Sequence, residues 1–438
     1  MSKSALYTVL ESLDTAGIRY CHWKSNEHLD AGLCGETDID MLVAHDQASQ
    51  CREVLTSHGW LYDAAPPFTE MEHWMGFDTA SGRLLHIHLH TAGLPVGPSK
   101  RKIYTLPQSV SDWVLTQRVR TDGVWTASPE TELFMLILRF ALKSGPRNLA
   151  GAYVRTRDVV PPNLRKEFQW LVAQDIDTLS CPVLSAGFSA CVQSLRVIMN
   201  DTSAPFYRYI PLLLRMRLLV LRYITPYRIC ARRKKGGKTL QRPTPVFAFV
   251  GVDGSGKTTL VSELRAWFGW KFNAQMFYLG TPKKCGFGGV LYKVTRKVPG
   301  SRWVFRLYAA LYRLATALRA RRAAHNGCIV LTDRYPTPLL WQVSDGPRAT
   351  GFLSSIERTL YRAIPAPGRL VVLRVPEEIL RLRDSTVPTE TRIRKLNGID
   401  ALIAANTEIP LQVVDASRSR EAVLLECKQM LFETLRGI

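Results

Sequence analysis

The chain has 438 residues, enough for two or three domains that each bury a core. It is 46% hydrophobic and 22% charged, which excludes wholesale disorder. The net charge of +21 is uneven: residues 1–100 carry 6 Lys/Arg against 13 Asp/Glu and the remainder 52 against 24, so a uniform nucleic-acid coat is excluded.

In chain order, the first expected element is a helix from Leu6 to Ala16, with Leu6, Val9, Leu10 and Leu13 at helical spacing. Short strands follow at Ile39 to Val43 and Leu84 to Leu89, and these define a small α/β domain over residues 1–120. A helical middle region spans 121–230. It opens at Ser128-Pro129-Glu130-Thr131-Glu132, with a serine cap, proline at the first helical position and acids in the first turn. Its longest apolar run, Tyr209 to Ile224, is broken by Arg215, Arg217 and Arg222, so no membrane-spanning helix is expected. Residues 201–245 carry eleven Lys/Arg and one acid, Asp201. This reads as a packed helix with arginines turned outward; peripheral contact with an anionic membrane is the alternative. Residues 231–245, with a Lys/Gly run and two prolines, read as an exposed basic linker. From 246 to 438, strands at Val246–Val250, Ile329–Thr332, Leu370–Val375 and Leu411–Val414 alternate with helical stretches, the pattern of a parallel sheet flanked by helices. Nine cysteines without a C-x-x-C pair, and an N-terminus without an apolar leader, point to reduced thiols and a cytoplasmic protein.

The sharpest motif is Gly251-Val252-Asp253-Gly254-Ser255-Gly256-Lys257-Thr258-Thr259, which follows a strand and opens a helix. Glycines let such a loop curl its amides inward on phosphate, and the helix N-terminus adds positive potential. Lys257 supplies a point charge, and the Thr258 hydroxyl is a Mg²⁺ ligand. The acid inside the loop makes it resemble thymidylate kinase. Leu331-Thr332-Asp333-Arg334-Tyr335 is similar to that family's D-R motif. Leu370 to Pro376 with Arg381 and Arg383 resembles its lid-leading strand and helix, and Val413 to Ser419 its final strand and base-bordering loop.

The resemblance covers residues 245–438 and implies a P-loop kinase fold using ATP and Mg²⁺. It implies that Gly251, Gly254, Ser255, Gly256, Lys257, Thr258, Thr259 and Ser417 bind ATP. Asp253 would face the acceptor, Asp333 would sit near Mg²⁺ and the acceptor, and Arg334 would grip the acceptor. Arg383 is the lid candidate, with Arg392 and Arg394 behind it. Residues 265–325 depart from the family pattern, with 13 Lys/Arg and no acid. The acceptor is therefore expected to be strongly anionic: a nucleoside monophosphate, a sugar phosphate or a glycan. A homo-oligomer is compatible with this reading, and a pathway such as surface polysaccharide assembly or nucleotide metabolism would suit it.

Residues 20–43 hold Lys24-Ser25 and, thirteen positions after the serine, Asp38-Ile39-Asp40. Two acids one residue apart on a strand share a face and suit a divalent metal. This resembles the nucleotidyltransferase superfamily, which implies Asp38 and Asp40 as metal ligands. The strand Leu84 to His90 places His86, His88 and His90 on one face, with His88 where a third carboxylate is expected. Imidazole is a poor Mg²⁺ ligand and a better one for Mn²⁺ or Zn²⁺. Degenerate binding and transfer with a changed metal both stay open. Zinc at the three histidines lacks a nameable fourth ligand and is not expected. Two rival classes remain, a nucleic-acid end-processing enzyme and a non-catalytic nucleotide-gated protein. Nucleic acid is the less favoured partner.

Overall fold

The computed structural model describes residues 4–63, 71–99, 102–177, 179–220, 226–228, 239–282, 286–298, 301–336, 352–383, 387–404 and 409–437. They form two compact units, residues 1–234 and 235–438.

In the first unit α1 (Ala5–Thr15) starts at Ser4, whose hydroxyl accepts from the Leu6 amide. The strands are β1 (Tyr20–His22), β2 (Ile39–Val43), β3 (Leu61–Asp63), β4 (Met71–Asp78), β5 (Arg83–His90), β6 (Pro95–Ser99), β7 (Lys102–Thr105), β8 (Arg118–Thr121), β9 (Val124–Ala127) and β10 (Pro226–Arg228). Seven of them form a sheet in the order β3-β4-β5-β2-β1-β9-β8, and β10-β7-β6 form a second. In the large sheet β2 runs parallel to β5 and antiparallel to β1. The helices of this unit are α2 (Leu29–Leu33), α3 (Ala48–Ser57), α4 (Gln108–Thr116), α5 (Pro129–Lys143), α6 (Pro146–Thr156), α7 (Pro162–Val172), α8 (Ala186–Asn200) and α9 (Tyr209–Val220).

The two-residue period of the strands sorts their side chains. Ile39, Met41, Val43, Leu85, Ile87 and Leu89 join Leu6, Val9, Leu10, Leu13 and Leu55 in one core. The even-numbered positions face the opposite way. There Leu42, with Cys21 and Trp23, packs with Leu133 to Leu138, Phe168, Val192, Leu213 and Met216. The helices after Ser128 thus share a core with the N-terminal sheet and do not form a separate middle layer. α5 is the keystone: every residue from Thr131 to Leu142 is buried. α9 packs through Tyr209, Leu213 and Met216 and exposes Leu214 and Leu218. Arg222 and the basic run Arg232–Lys238 lie outside the described residues.

The second unit is a five-stranded parallel sheet, β11 (Val246–Gly251), β12 (Ala274–Tyr278), β13 (Ile329–Asp333), β14 (Arg369–Arg374) and β15 (Leu411–Asp415), in the order β12-β13-β11-β14-β15. It is flanked by α10 (Lys257–Gly269), α11 (Gly286–Lys297), α12 (Arg302–His325), α13 (Phe352–Arg362), α14 (Glu377–Arg383), α15 (Thr389–Ala404) and α16 (Arg420–Arg436). Near-continuous apolar strands suit a sheet covered on both faces, and β13 is buried throughout. The proposed linker is part of this unit where it is described. The Leu240 amide donates to Gly327 O at 2.9 Å, the Thr244 hydroxyl to Cys328 O at 2.5 Å and Arg242 to Leu435 O at 2.7 Å. No helix among the described residues is long and apolar enough to cross a membrane.

The chain leaves β11 for β12 on one side of the sheet, and after β13 it crosses to β14 on the other. The strand order therefore switches between β13 and β11. In open α/β sheets the crevice beyond the carboxyl ends of such strands is where ligands bind.

Candidate functional site

The phosphate-loop motif lies at this switch point. β11 ends at Gly251, and α10 begins at Lys257 behind Gly256. Gly254 and Gly256 both have φ of +85°, a left-handed conformation that side chains resist, so the loop needs glycine there. A Cβ on Gly251 would stand 2.8 Å from both Leu373 O and Ser255 Oγ. Lys257 is buried, and its ammonium donates to Val252 O at 2.7 Å and Ser255 Oγ at 3.2 Å. Burial, then the neighbouring Arg334, brings its pKa down to about 8. Thr259 is exposed on the first turn of α10.

From the neighbouring strand, Asp333 closes the site. Its Oδ2 accepts from the Thr258 hydroxyl at 2.7 Å. The other carboxylate oxygen is buried with no hydrogen-bond partner among the described residues. A hydroxyl and a carboxylate with a spare oxygen form a hard donor set that fits Mg²⁺.

Arg334 follows with φ of +70°, rare for a residue with a side chain, and its amide donates to Phe249 O at 2.9 Å. Its guanidinium donates to Asp253 Oδ1 at 2.8 Å and lies 5.9 Å from the Tyr278 ring centre. Asp253 Oδ2 accepts from Lys395, on α15, at 2.5 Å. Burial alone would raise the Asp253 pKa. The bond from Lys395 and the charge of Arg334 outweigh it and hold the carboxyl below its usual range.

The sheet and loop thus bring together Asp253, Lys257, Thr258, Asp333 and Arg334. The lid candidates behave differently. Arg383 is exposed at the end of α14 and donates to Ala416 O at 3.1 Å, which ties it to the loop of Ser417. The Ser417 amide and hydroxyl are both turned onto Asp415. Arg392 is buried and donates to Val387 O at 2.9 Å. Arg394 is exposed. Lys395 is the residue that the sequence reading missed. Its only signal was its place three positions after Arg392, in a run that otherwise reads as a solvated helix face. The acid-free stretch is also partly structural: Arg306 pairs with Glu357 at 2.6 Å, and Arg313 donates to Thr281 Oγ1 at 3.0 Å and to the Tyr361 hydroxyl.

The first unit holds a second constellation, on the even-numbered face of its sheet. Asp40 lies opposite His88 in the parallel β2–β5 pair, and His88 opposite His73 in the antiparallel β4–β5 pair. The two acids do not stand as an open pair. Asp38 meets His86 Nδ1 at 2.8 Å and His88 Nε2 at 3.5 Å. Asp40 meets Lys24 Nζ at 2.8 Å, His88 Nδ1 at 3.2 Å and His90 Nε2 at 3.6 Å. Burial pushes the Asp40 carboxyl up, but Lys24 and the bonds from His88 and His90 hold it well below the usual range. Burial brings His90 down to about 4.

The serine expected to bind phosphate is differently engaged. Ser25 has φ of +61°, and its amide donates to Glu167 at 3.3 Å, while the Asn26 amide donates to Glu132 at 2.9 Å. Both amides of the turn are therefore spent on carboxyl oxygens. His73 was also missed from sequence; only the register of β4 against β5 brings it to His88.

No protein-family model matches the chain, and no curated protein matches it. Among solved structures, a thymidylate kinase from Candida albicans is similar over 45% of this chain and 94% of that chain, at 13% identity and a TM-score of 0.36.

Proposed function

We propose that the second unit is an ATP-dependent phosphotransferase of the P-loop kinase class that passes the γ-phosphoryl group to an anionic acceptor. The observation that carries this reading is the Thr258–Asp333 bond at the switch point, which joins the phosphate loop to the carboxyl end of β13. In it, the loop amides and Lys257 hold the β- and γ-phosphates, and Ser417 borders the base. Thr258 and the spare oxygen of Asp333 would hold Mg²⁺, which would supply charge neutralisation for the phosphates. Asp253, kept ionised, accepts the hydrogen bond of the acceptor hydroxyl and orients it. Arg334 and Lys395 keep that carboxylate in place and attract the acceptor's negative charge. Positioning and charge neutralisation are what this reaction draws from its protein. Arg383 acts from the Ser417 side, as a positioning residue for that loop.

The nucleotidyltransferase-like reading of the first unit is kept in its binding form, because Lys24 occupies Asp40 and the Ser25 turn is committed to carboxyl oxygens. The test is an acceptor screen with γ-labelled ATP across nucleoside monophosphates, sugar phosphates, lipid-linked glycans and RNA 5′ ends. Label on one of the first three supports the reading. Label on RNA alone supports the end-processing alternative, and ATP binding without any transfer supports the nucleotide-gated one.

A further inference from the structure

We propose that the first unit binds one divalent transition-metal ion of the zinc class through His73, His86 and His88, with Asp38 as the carboxylate that orients His86. This site is independent of the phosphotransferase reading. The three rings each offer a nitrogen, and these atoms all lie within 4.8 Å of one another. The closest pair, His73 Nδ1 and His86 Nε2, is 3.1 Å apart. Tetrahedral zinc with bonds of about 2.0–2.1 Å places its nitrogens about 3.3 Å apart, close to the 3.1 Å of the His73–His86 pair.

Strand register fixes the arrangement. His86 and His88 lie two apart on β5 and therefore share a face, and His73 sits directly across from His88 on β4. Asp38 Oδ1 lies 2.8 Å from His86 Nδ1, which leaves His86 Nε2 turned to His73. A carboxylate on the far nitrogen of a ligating imidazole sets its tautomer and raises its basicity, the usual partner of a metal-bound histidine. Lys24 is drawn to Asp40, so its charge is directed at the neighbouring acid.

Exposure gives the site a way in. His73 and His86 are buried, while the His88 and Asp38 side chains are 17% and 25% exposed. An ion entering on that side meets the His88 ring and the Asp38 carboxylate, and finds Asp38 Oδ2 or water for its fourth position. Three imidazoles select zinc, cobalt or copper over Mg²⁺, which prefers oxygen and sheds water reluctantly.

The test uses the full chain, stripped with chelator and titrated with Co²⁺ in excess Mg²⁺, which keeps oxygen-donor sites filled. The expected result is one equivalent of Co²⁺ with the visible d–d bands of a low-coordinate nitrogen site, displaced by Zn²⁺. His88→Asn should weaken binding at least about tenfold, and Asp38→Asn by about 10- to 100-fold. Wild-type protein that takes up no Co²⁺ would overturn the proposal, and that measurement needs no variant. Bands that survive unchanged in a His73→Asn/His88→Asn double variant, shown folded by circular dichroism, would overturn it too. Either outcome would leave the three rings as a hydrogen-bonded cluster.

Discussion

Asp253 sits between two cations, Arg334 on one oxygen and Lys395 on the other. If the three act together on the acceptor, their effects on kcat/KM will not add. A double-mutant cycle of Asp253→Asn and Lys395→Met should show a coupling of about 0.5–3 kcal/mol; additive losses would mean that Lys395 is a surface lysine. Lys257→Ala removes the one ammonium buried in the loop and should lower phosphoryl transfer by about 10²–10³-fold, read in single turnover. The sequence displayed Lys257, Thr258, Asp333 and Arg334 openly, because a loop motif and a strand end carry local spacing. It could not display Lys395 or His73. Each reaches its partner only through tertiary register, and Lys395 is 142 positions from Asp253.

At the scale of elements, the strands of the second unit were legible because buried parallel strands are short, apolar and bounded. Val246–Val250 and Ile329–Thr332 were read within a residue of β11 and β13. The Lys/Gly run of the linker lies outside the described residues, while Leu240 and Thr244 beyond it are buried against Gly327 and Cys328. The tight seat of Gly251 predicts that Gly251→Ala distorts the loop. ATP affinity should fall by at least about tenfold while the far-UV spectrum is kept, since the clash with Leu373 O is with backbone that cannot yield cheaply. Leu331→Ala, in the centre of β13, tests packing instead. It should cost about 2–5 kcal/mol in urea unfolding.

The molecule comprises two compact units, and the charge split seen at the outset follows that division only roughly. The acidic first hundred residues include the Asp38 and Asp40 cluster, while the basic excess of α12 is partly spent on Glu357 and Tyr361. Stability should also depend on pH in a way set by Glu132, beneath the sheet. Burial raises its pKa from 4.5 to about 8, and the nearby Glu167 and Glu27 add to this, against the Asn26 amide. Below pH 4.5 both folded and unfolded chains hold the proton. Between 4.5 and about 8 only the folded chain keeps it, so stability falls as pH rises through that window and levels off above it. Urea midpoints of the first unit at pH 5.5 to 8.5 should follow this slope, and Glu132→Gln should flatten it.

Phosphoryl transfer by the second unit is read from transfer of label from γ-labelled ATP to an anionic acceptor, by wild type and by Lys257→Ala side by side. Labelled acceptor is expected with wild type, with a loss of about 10²–10³-fold in the variant. Wild-type protein that binds Mg²⁺ and ATP yet labels no acceptor, or a variant that labels as fast as wild type, would contradict it.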